Sequence, residues 1–431
     1  MRKKRARSLM PQLKRLIKKA VRESGVMTPR SVTVGWPVFD DKEIVSALQS
    51  LLEMRISQGP KVREFEKRCA RYIGKKYAVA VNSGSSANLL ALSALVASGK
   101  VKRGSEVILP ATTFATVASP VLQVGLVPVY VDVDPISWNI DPKEIGKAIS
   151  SKTRIIMPVH TFGNPADMSR IMRIAKKHKL IVLEDCCEAH GAAIGRRKVG
   201  SFGELATLSF FVAHNITTGE GGMIFTDDKA MYELLQSLRE FGRLPLDVMK
   251  NERFTYKDKV LRGYDARYIF SRLGYNVRMT DIAASLGIEQ LRKLDSLNRK
   301  RLSIVRQYSN ALKKYERYLR LPTVAKGTFH SFYGYPFLVK TSAPFSRMDL
   351  VAHLEKNGIE TRPFFGGCLP DQPAFRNEPK RIVGKLPVAR MILRQSIFIG
   401  CHPALTKKHV EHVLRTFDSF FKNLGGAPGT T

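Results

Sequence analysis

The chain reads as an α/β protein, with a large domain around a mainly parallel seven-stranded sheet and a smaller α+β domain after it. Three observations carry this reading. Short β-rich runs alternate with helical stretches from Gly35 onward, and a long helical run begins near Asp281. The chain also has 431 residues, 44% of them hydrophobic, enough for one large core or two unequal ones.

The elements follow in order. Residues 1–34 form a basic N-terminal extension, in which residues 1–22 hold ten Lys or Arg and no acid. Leu9, Leu13, Leu16, Ile17 and Val21 recur there at helical spacing. Such a helix can touch an anionic membrane or nucleic acid, or serve only as a solvated extension. No recognisable nucleic-acid module follows, so the solvated reading is preferred and no specific nucleic-acid partner is expected. The large domain, 35–280, holds seven strand candidates: YAVAV (77–81), EVILP (106–110), VPVYVDV (127–133), RIIMPVH (154–160), LIVLED (180–185), LATLSFF (205–211) and GMIFT (222–226). Helical stretches such as SANLLALSALVAS and MSRIMRIAKKH separate most of them. A linking helix, IAASLGIEQLRKLDSLNRKRLSIVRQYSNALKKY, opens the smaller domain over 281–424, and 425–431 form a disordered tail.

Composition narrows the function classes. No apolar run approaches the roughly 20 residues a bilayer demands, and no secretory pattern opens the chain. A soluble, cytoplasmic protein is the expectation. Cys69, Cys186, Cys187, Cys368 and Cys401 lack disulfide-framework spacing. The formal charge of +34 suits a polyanionic substrate such as a nucleotide diphosphate, and suits solubility as well.

Ligands in such sheets bind beyond the carboxyl ends of the strands, and four candidate groups fall there. In NSGSSANLLALSAL a strand ends in a Gly/Ser turn that opens a helix, so Ser85 and Ser86 can form a phosphate cup or simply cap the helix. In LEDCCEAHG, Asp185 can present a carboxylate to a cationic ring nitrogen or cap a helix, and Glu188 lies close behind. In PATTFATVASP, Phe114 can stack on a flat ring or fill core. In SFFVAHNITTGEGG, Ser209 can donate to a phosphate, while His214 is either a hydrogen-bonded structural group or a general base.

Taken together, the runs ISQGPKVREFEK, VNSGSSANLLALSAL, EDCCEAHGA, HNITTGEGG, LGYNVRMTDI and GIETRPFF resemble the sugar aminotransferase/dehydratase family. That family is built on the aspartate-aminotransferase scaffold of fold type I pyridoxal-phosphate enzymes, and the resemblance covers about Gly35 to Phe421. It implies that His214 stands where the aminotransferases carry their Schiff-base lysine, and no lysine occurs between Lys198 and Lys229. Histidine there marks the 3-dehydratase branch, which acts on nucleotide-linked 4-keto-6-deoxyhexoses. HTFGNP (160–165) and TRPFFGGCLPDQPAF lean the same way.

The cofactor implied is pyridoxamine or pyridoxal 5′-phosphate, held non-covalently. His214 would be the base at its C4′ carbon and Asp185 would face the ring nitrogen. Glu188 would sit near the phenolic oxygen, Phe114 over the ring, and Ser85, Ser86 and Ser209 at the phosphate. Asn276 would reach the phosphate from the second subunit of a homodimer. Reductase-coupled members hold an iron–sulfur cluster through four cysteines, of which only the Cys187 position is matched here. No cysteine occurs between Phe241 and Tyr268, so no metal is expected. The resemblance then implies the cluster-free route, with L-glutamate regenerating pyridoxamine. The other readings are a sugar aminotransferase with its lysine elsewhere, and a non-catalytic nucleotide-sugar-binding member.

Overall fold

A computed structural model describes residues 2–25 and 28–425 of the chain. Its main sheet starts with Tyr77–Val81 at one edge, then Gly222–Thr226, then Leu205–Ser209. Ile181–Asp185, Thr153–Ile156, Glu106–Pro110 and Val127–Val131 follow. Gly222–Thr226 runs antiparallel to both its neighbours, and the later pairings are parallel. Glu106–Pro110, Leu205–Ser209 and Gly222–Thr226 are buried along their whole length. Burial on both faces is why they read as continuous apolar runs.

Strand alternation divides the core between the two faces. Val79 and Val81 join the cluster that holds Leu90, Val117 and Leu235 from the helices Gly84–Ala97, Ala115–Gln123 and Lys229–Arg239. Ala78 and Ala80 point the other way, into a cluster with Phe65 and Ile288. The long helix runs from Asp281 to Leu312, with the Thr280 side chain capping its N-terminus. Its second half packs Ile304 and Tyr308 into the core of a four-stranded antiparallel sheet, ordered Leu319–Arg320, Tyr335–Val339, Ser396–Ile399, Thr361–Arg362. No described helix is long and apolar enough to cross a membrane.

Two expectations need correction. The main sheet has an eighth strand, Arg381–Ile382, which returns from the C-terminal region to pair in parallel with Val127–Val131. Two residues in a charged stretch give no periodic signal, and a side-chain clamp holds them there. Arg381 Nε and Nη2 donate to the two Glu106 carboxylate oxygens at 2.9 and 2.8 Å. Residues 1–34 are also not wholly peripheral. Arg2–Glu23 is a helix, but Val32 is buried in the second core, donates to the Gly358 carbonyl at 3.1 Å and accepts from Glu360 N–H at 2.8 Å. In the expected tail, Gly425 closes the last helix, and 426–431 lie outside the described residues.

Burial alone would raise the Glu106 carboxyl, but hydrogen bonds from Arg381, Ser150 and Thr153 outweigh it and hold the group at about 2. The folded value lies below the unfolded one, so this stabilisation is fully present above about pH 5 and fades as the pH falls towards 2. Denaturant titrations of wild type and Glu106→Gln should therefore converge across that window, from a difference of roughly 2–3 kcal/mol at neutral pH. A difference that does not vary with pH would show that the clamp is not ionic.

Candidate active site

The carboxyl ends of the central strands and segments from the smaller domain enclose a cavity of about 610 Å³. Ser85, Phe114, Asp185, Glu188, Ser209 and His214 line it together. They arrive from four separate strand ends, so the convergence is a property of the sheet and not of local sequence.

Asp185 closes the strand Ile181–Asp185 and is 3% exposed. A buried carboxylate needs partners, and it has two: Asn88 Nδ2 donates to one oxygen at 2.8 Å and Cys187 N–H to the other at 2.9 Å. Asn88 is oriented in turn, because its Oδ1 accepts from Thr207 Oγ1 at 2.7 Å and its Nδ2 also reaches the Thr116 carbonyl at 3.1 Å. Neither Asn88 nor Thr207 carries a mark in the sequence beyond its place near a strand end. Glu188 accepts from Phe162 N–H at 2.7 Å. Burial, seconded by the Asp185 charge, raises its carboxyl well above the usual range despite that bond.

Ser83, Gly84 and Ser85 all face the cavity at the N-terminus of the helix Gly84–Ala97, where unpaired N–H groups and the helix dipole favour an anion. Ser86 does not line the cavity. Its N–H donates to Ser83 Oγ at 3.0 Å, and its hydroxyl accepts from the same Oγ at 3.0 Å, so it takes part in the cap and keeps its own hydroxyl hydrogen. Asn276 also lies outside its own chain's cavity, where it accepts from Arg278 Nε at 3.1 Å. Phe114 presents an aromatic face, 55% exposed, at the head of the helix Ala115–Gln123.

His214 is half-buried in the wall. Its Nδ1 lies 3.0 Å from the Ser209 carbonyl, which can only accept, so the proton is on Nδ1 and Nε2 keeps the lone pair. Burial is the main reason that its value falls to about 4. The Ser209 bond opposes this and the Arg301 charge adds to it. The Tyr333 ring meets the imidazole edge-on at 5.3 Å. Arg362 joins the lining, and none of the described lining residues is a lysine.

Of the five cysteines only Cys187 lines the cavity; Cys69, Cys186, Cys368 and Cys401 are buried in the hydrophobic cores. His160, Glu184 and Cys186 bring metal-ligand atom types within 4.8 Å of one another, but hydrogen bonds already occupy the imidazole and the carboxylate. His160 accepts from Ala166 N–H and donates to Glu184, whose oxygens also accept from the N–H groups of Gly200, Phe202 and Gly203. This donor set is structural.

The residues present fit a flat, phosphate-bearing, cationic ring: a fixed carboxylate, an open aromatic face, a helix N-terminus and an unprotonated imidazole. Comparison with known proteins agrees. A model of the DegT/DnrJ/EryC1/StrS aminotransferase family matches residues 38–418. The dTDP-4-dehydro-2,6-dideoxy-D-glucose 3-dehydratase of Saccharopolyspora spinosa is 37% identical over 393 residues, 89% of this chain and 85% of that protein. The GDP-perosamine synthase of Caulobacter vibrioides is 33% identical over 390 residues, 90% of this chain and 97% of that one. The solved Escherichia coli GDP-4-keto-6-deoxy-D-mannose 3-dehydratase with bound hydrated pyridoxal phosphate aligns with a TM-score of 0.82 at 30% identity, covering 90% of this chain and 99% of that chain.

A Cβ on Gly84 would lie 2.4 Å from Ser209 Cβ and 3.2 Å from Cys187 Sγ, and the strand cannot retreat. Gly84→Ala should thus push the helix N-terminus off the cup. Pyridoxal-phosphate affinity, read by equilibrium dialysis, should drop at least about tenfold, equivalent to about 1.4 kcal/mol, with the circular-dichroism spectrum kept. Unchanged affinity would mean that the cup does not hold the phosphate.

Proposed function

Because the chain belongs to the DegT/DnrJ/EryC1/StrS aminotransferase family, whose cofactor is pyridoxal phosphate, we propose that it removes the C3 hydroxyl from a nucleotide-linked 4-keto-6-deoxyhexose. The observation that carries this reading is a free imidazole, His214, in a cavity wall whose described lining includes no lysine. An imidazole can take a proton but cannot hold the cofactor covalently.

The bound cofactor, as pyridoxamine phosphate, supplies an amine for the sugar's C4 ketone and a ring that accepts electrons. The chain's own groups do the rest. Asp185, locked by Asn88 and Cys187 N–H, keeps a negative charge where a protonated ring nitrogen would lie. Phe114 covers one ring face, and Ser85, Ser209 and the helix N-terminus take the phosphate. Glu188, whose carboxyl burial raises above the usual range, would sit near a phenolic oxygen. His214 Nε2 accepts the C4′ proton, and its lowered value keeps it unprotonated at neutral pH. The proton taken by His214 would then go to the C3 oxygen, which would leave as water. L-glutamate would restore the amine, without an iron–sulfur cluster.

A homodimer is part of this proposal. Tyr264, Tyr268, Phe270 and Leu273 are each more than half exposed on the segment before Asn276, which supports association of two copies there. Asn276 of one copy would then serve the cavity of the other. The aminotransferase reading draws support from the GDP-perosamine synthase relative, and it requires a lysine that the described lining does not supply.

Three tests bear on these readings. Borohydride should fail to fix pyridoxal phosphate to the wild-type chain, and dialysis should remove it; a covalent adduct at any lysine would sink the dehydratase reading. His214→Asn should bind cofactor normally while turnover falls by roughly 10²–10⁴. Asp185→Asn should abolish turnover, and because its single oxygen cannot accept from both Asn88 Nδ2 and Cys187 N–H it should lower the thermal midpoint as well. Normal rates in Asp185→Asn would reduce the residue to a structural cap.

A further inference from the structure

The long helix Asp281–Leu312 places two side chains, one turn apart, under the turn that carries His214. Asn298 Oδ1 accepts from Asn215 Nδ2 at 2.9 Å, and the same Asn215 amide donates to the Ser331 carbonyl at 2.9 Å. Asn298 also donates to the His190 carbonyl at 2.8 Å. Arg301 is 1% exposed. Its Nη1 donates to the Phe332 and Tyr333 carbonyls at 3.3 and 3.0 Å, and its Nη2 to the His214 carbonyl at 3.4 Å. Its Nε has no partner, and no ion pair with a carboxylate forms among the described residues.

A buried guanidinium served by carbonyls and the Cys401 thiol, with no carboxylate beside it, is unusual, because burying an ion costs several kcal/mol that a counter-charge normally offsets. Apolar packing could fill the same volume at less cost. A neutral side chain would not put a positive charge beneath the base. We propose that Arg301 is a positioning residue for His214: it pins the turn bearing the imidazole to the Phe332–Tyr333 segment, and its unpaired charge keeps that imidazole a proton acceptor.

This rests on the reading of His214 as the base. Other groups around the imidazole do not replace Arg301. His190 lies 5.8 Å away after the strand Ile181–Asp185, and Tyr333 lies at 5.3 Å. Asp185, Cys187 and Glu188 line the same cavity, as do Arg362 and, from the histidine's own loop, Glu220. Burial is the larger influence that keeps the imidazole unprotonated, and a cation beneath the turn adds to it. Arg301 is a cation beneath the turn, and its charge acts to lower His190, His214 and His402 alike, after burial in each case.

The test follows the His214 imidazole signal by NMR in full-length protein loaded with pyridoxal phosphate, assigned by its loss in His214→Asn. In Arg301→Met the titration midpoint should rise by about one unit, and the acid limb of kcat/KM should move with it. Arg301→Lys keeps the charge but not the fork of donors, so its midpoint should stay near wild type while kcat falls about tenfold through a looser turn. A folded Arg301→Met with an unmoved midpoint overturns the proposal. If Arg301→Met does not fold, Arg301→Lys decides: wild-type kcat overturns the proposal, and a lowered kcat at a held midpoint supports it. Full turnover in His214→Asn would remove the base assignment but leave the titration result standing, so the two failures are distinguishable.

Discussion

The site depends on one buried bond, the Asn88 amide to the Asp185 carboxylate. A carboxylate this deeply buried costs several kcal/mol unless it is paired or hydrogen-bonded. Satisfying it draws the helix Gly84–Ala97 onto the end of the strand Ile181–Asp185. The same helix carries Ser83, Gly84 and Ser85 at its N-terminus, so the bond that fixes the carboxylate also fixes the anion cup relative to it. Gly84 permits the close approach, since any side chain there would meet Ser209. The distance between the Asp185 carboxylate and the helix N-terminus is thus set by the fold's own packing.

Opposite this rigid wall stands the His214 imidazole. On the proposed reading it would act as a base, and Asp185, Phe114 and the cup would retain the cofactor. Its free nitrogen is defined by a single bond, Nδ1–H to the Ser209 carbonyl. The small domain completes that arrangement, because Tyr333 and the carbonyls bound by Arg301 come from the segment just before its central strand. The two cores are therefore coupled through the turn that bears His214.

Much of this was legible in the sequence. The seven long strands were readable because burial on both faces makes them apolar throughout. Asp185, Ser209 and His214 were readable because polar residues interrupt those runs where ligands bind. Other features had no local signal. Asn88 matters through a strand almost a hundred residues away, and Arg301 sits in a helix crowded with other basic residues, where nothing distinguishes the buried one. The strand Arg381–Ile382 and the buried Val32 likewise depend on partners distant in sequence. Ser86 shows how a serine-rich turn serves two ends at once: its N–H caps the helix, and its hydroxyl keeps a hydrogen to donate.

The central claim is that this cavity eliminates the C3 oxygen and does not transfer an amine to C4. The most direct measurement incubates the full-length protein with pyridoxamine phosphate, L-glutamate and a panel of GDP-, CDP- and dTDP-linked 4-keto-6-deoxyhexoses, and reads the sugar products by mass spectrometry. The account requires a nucleotide sugar that has lost its C3 oxygen and retains no nitrogen. A stable 4-amino sugar with the C3 hydroxyl in place would contradict it.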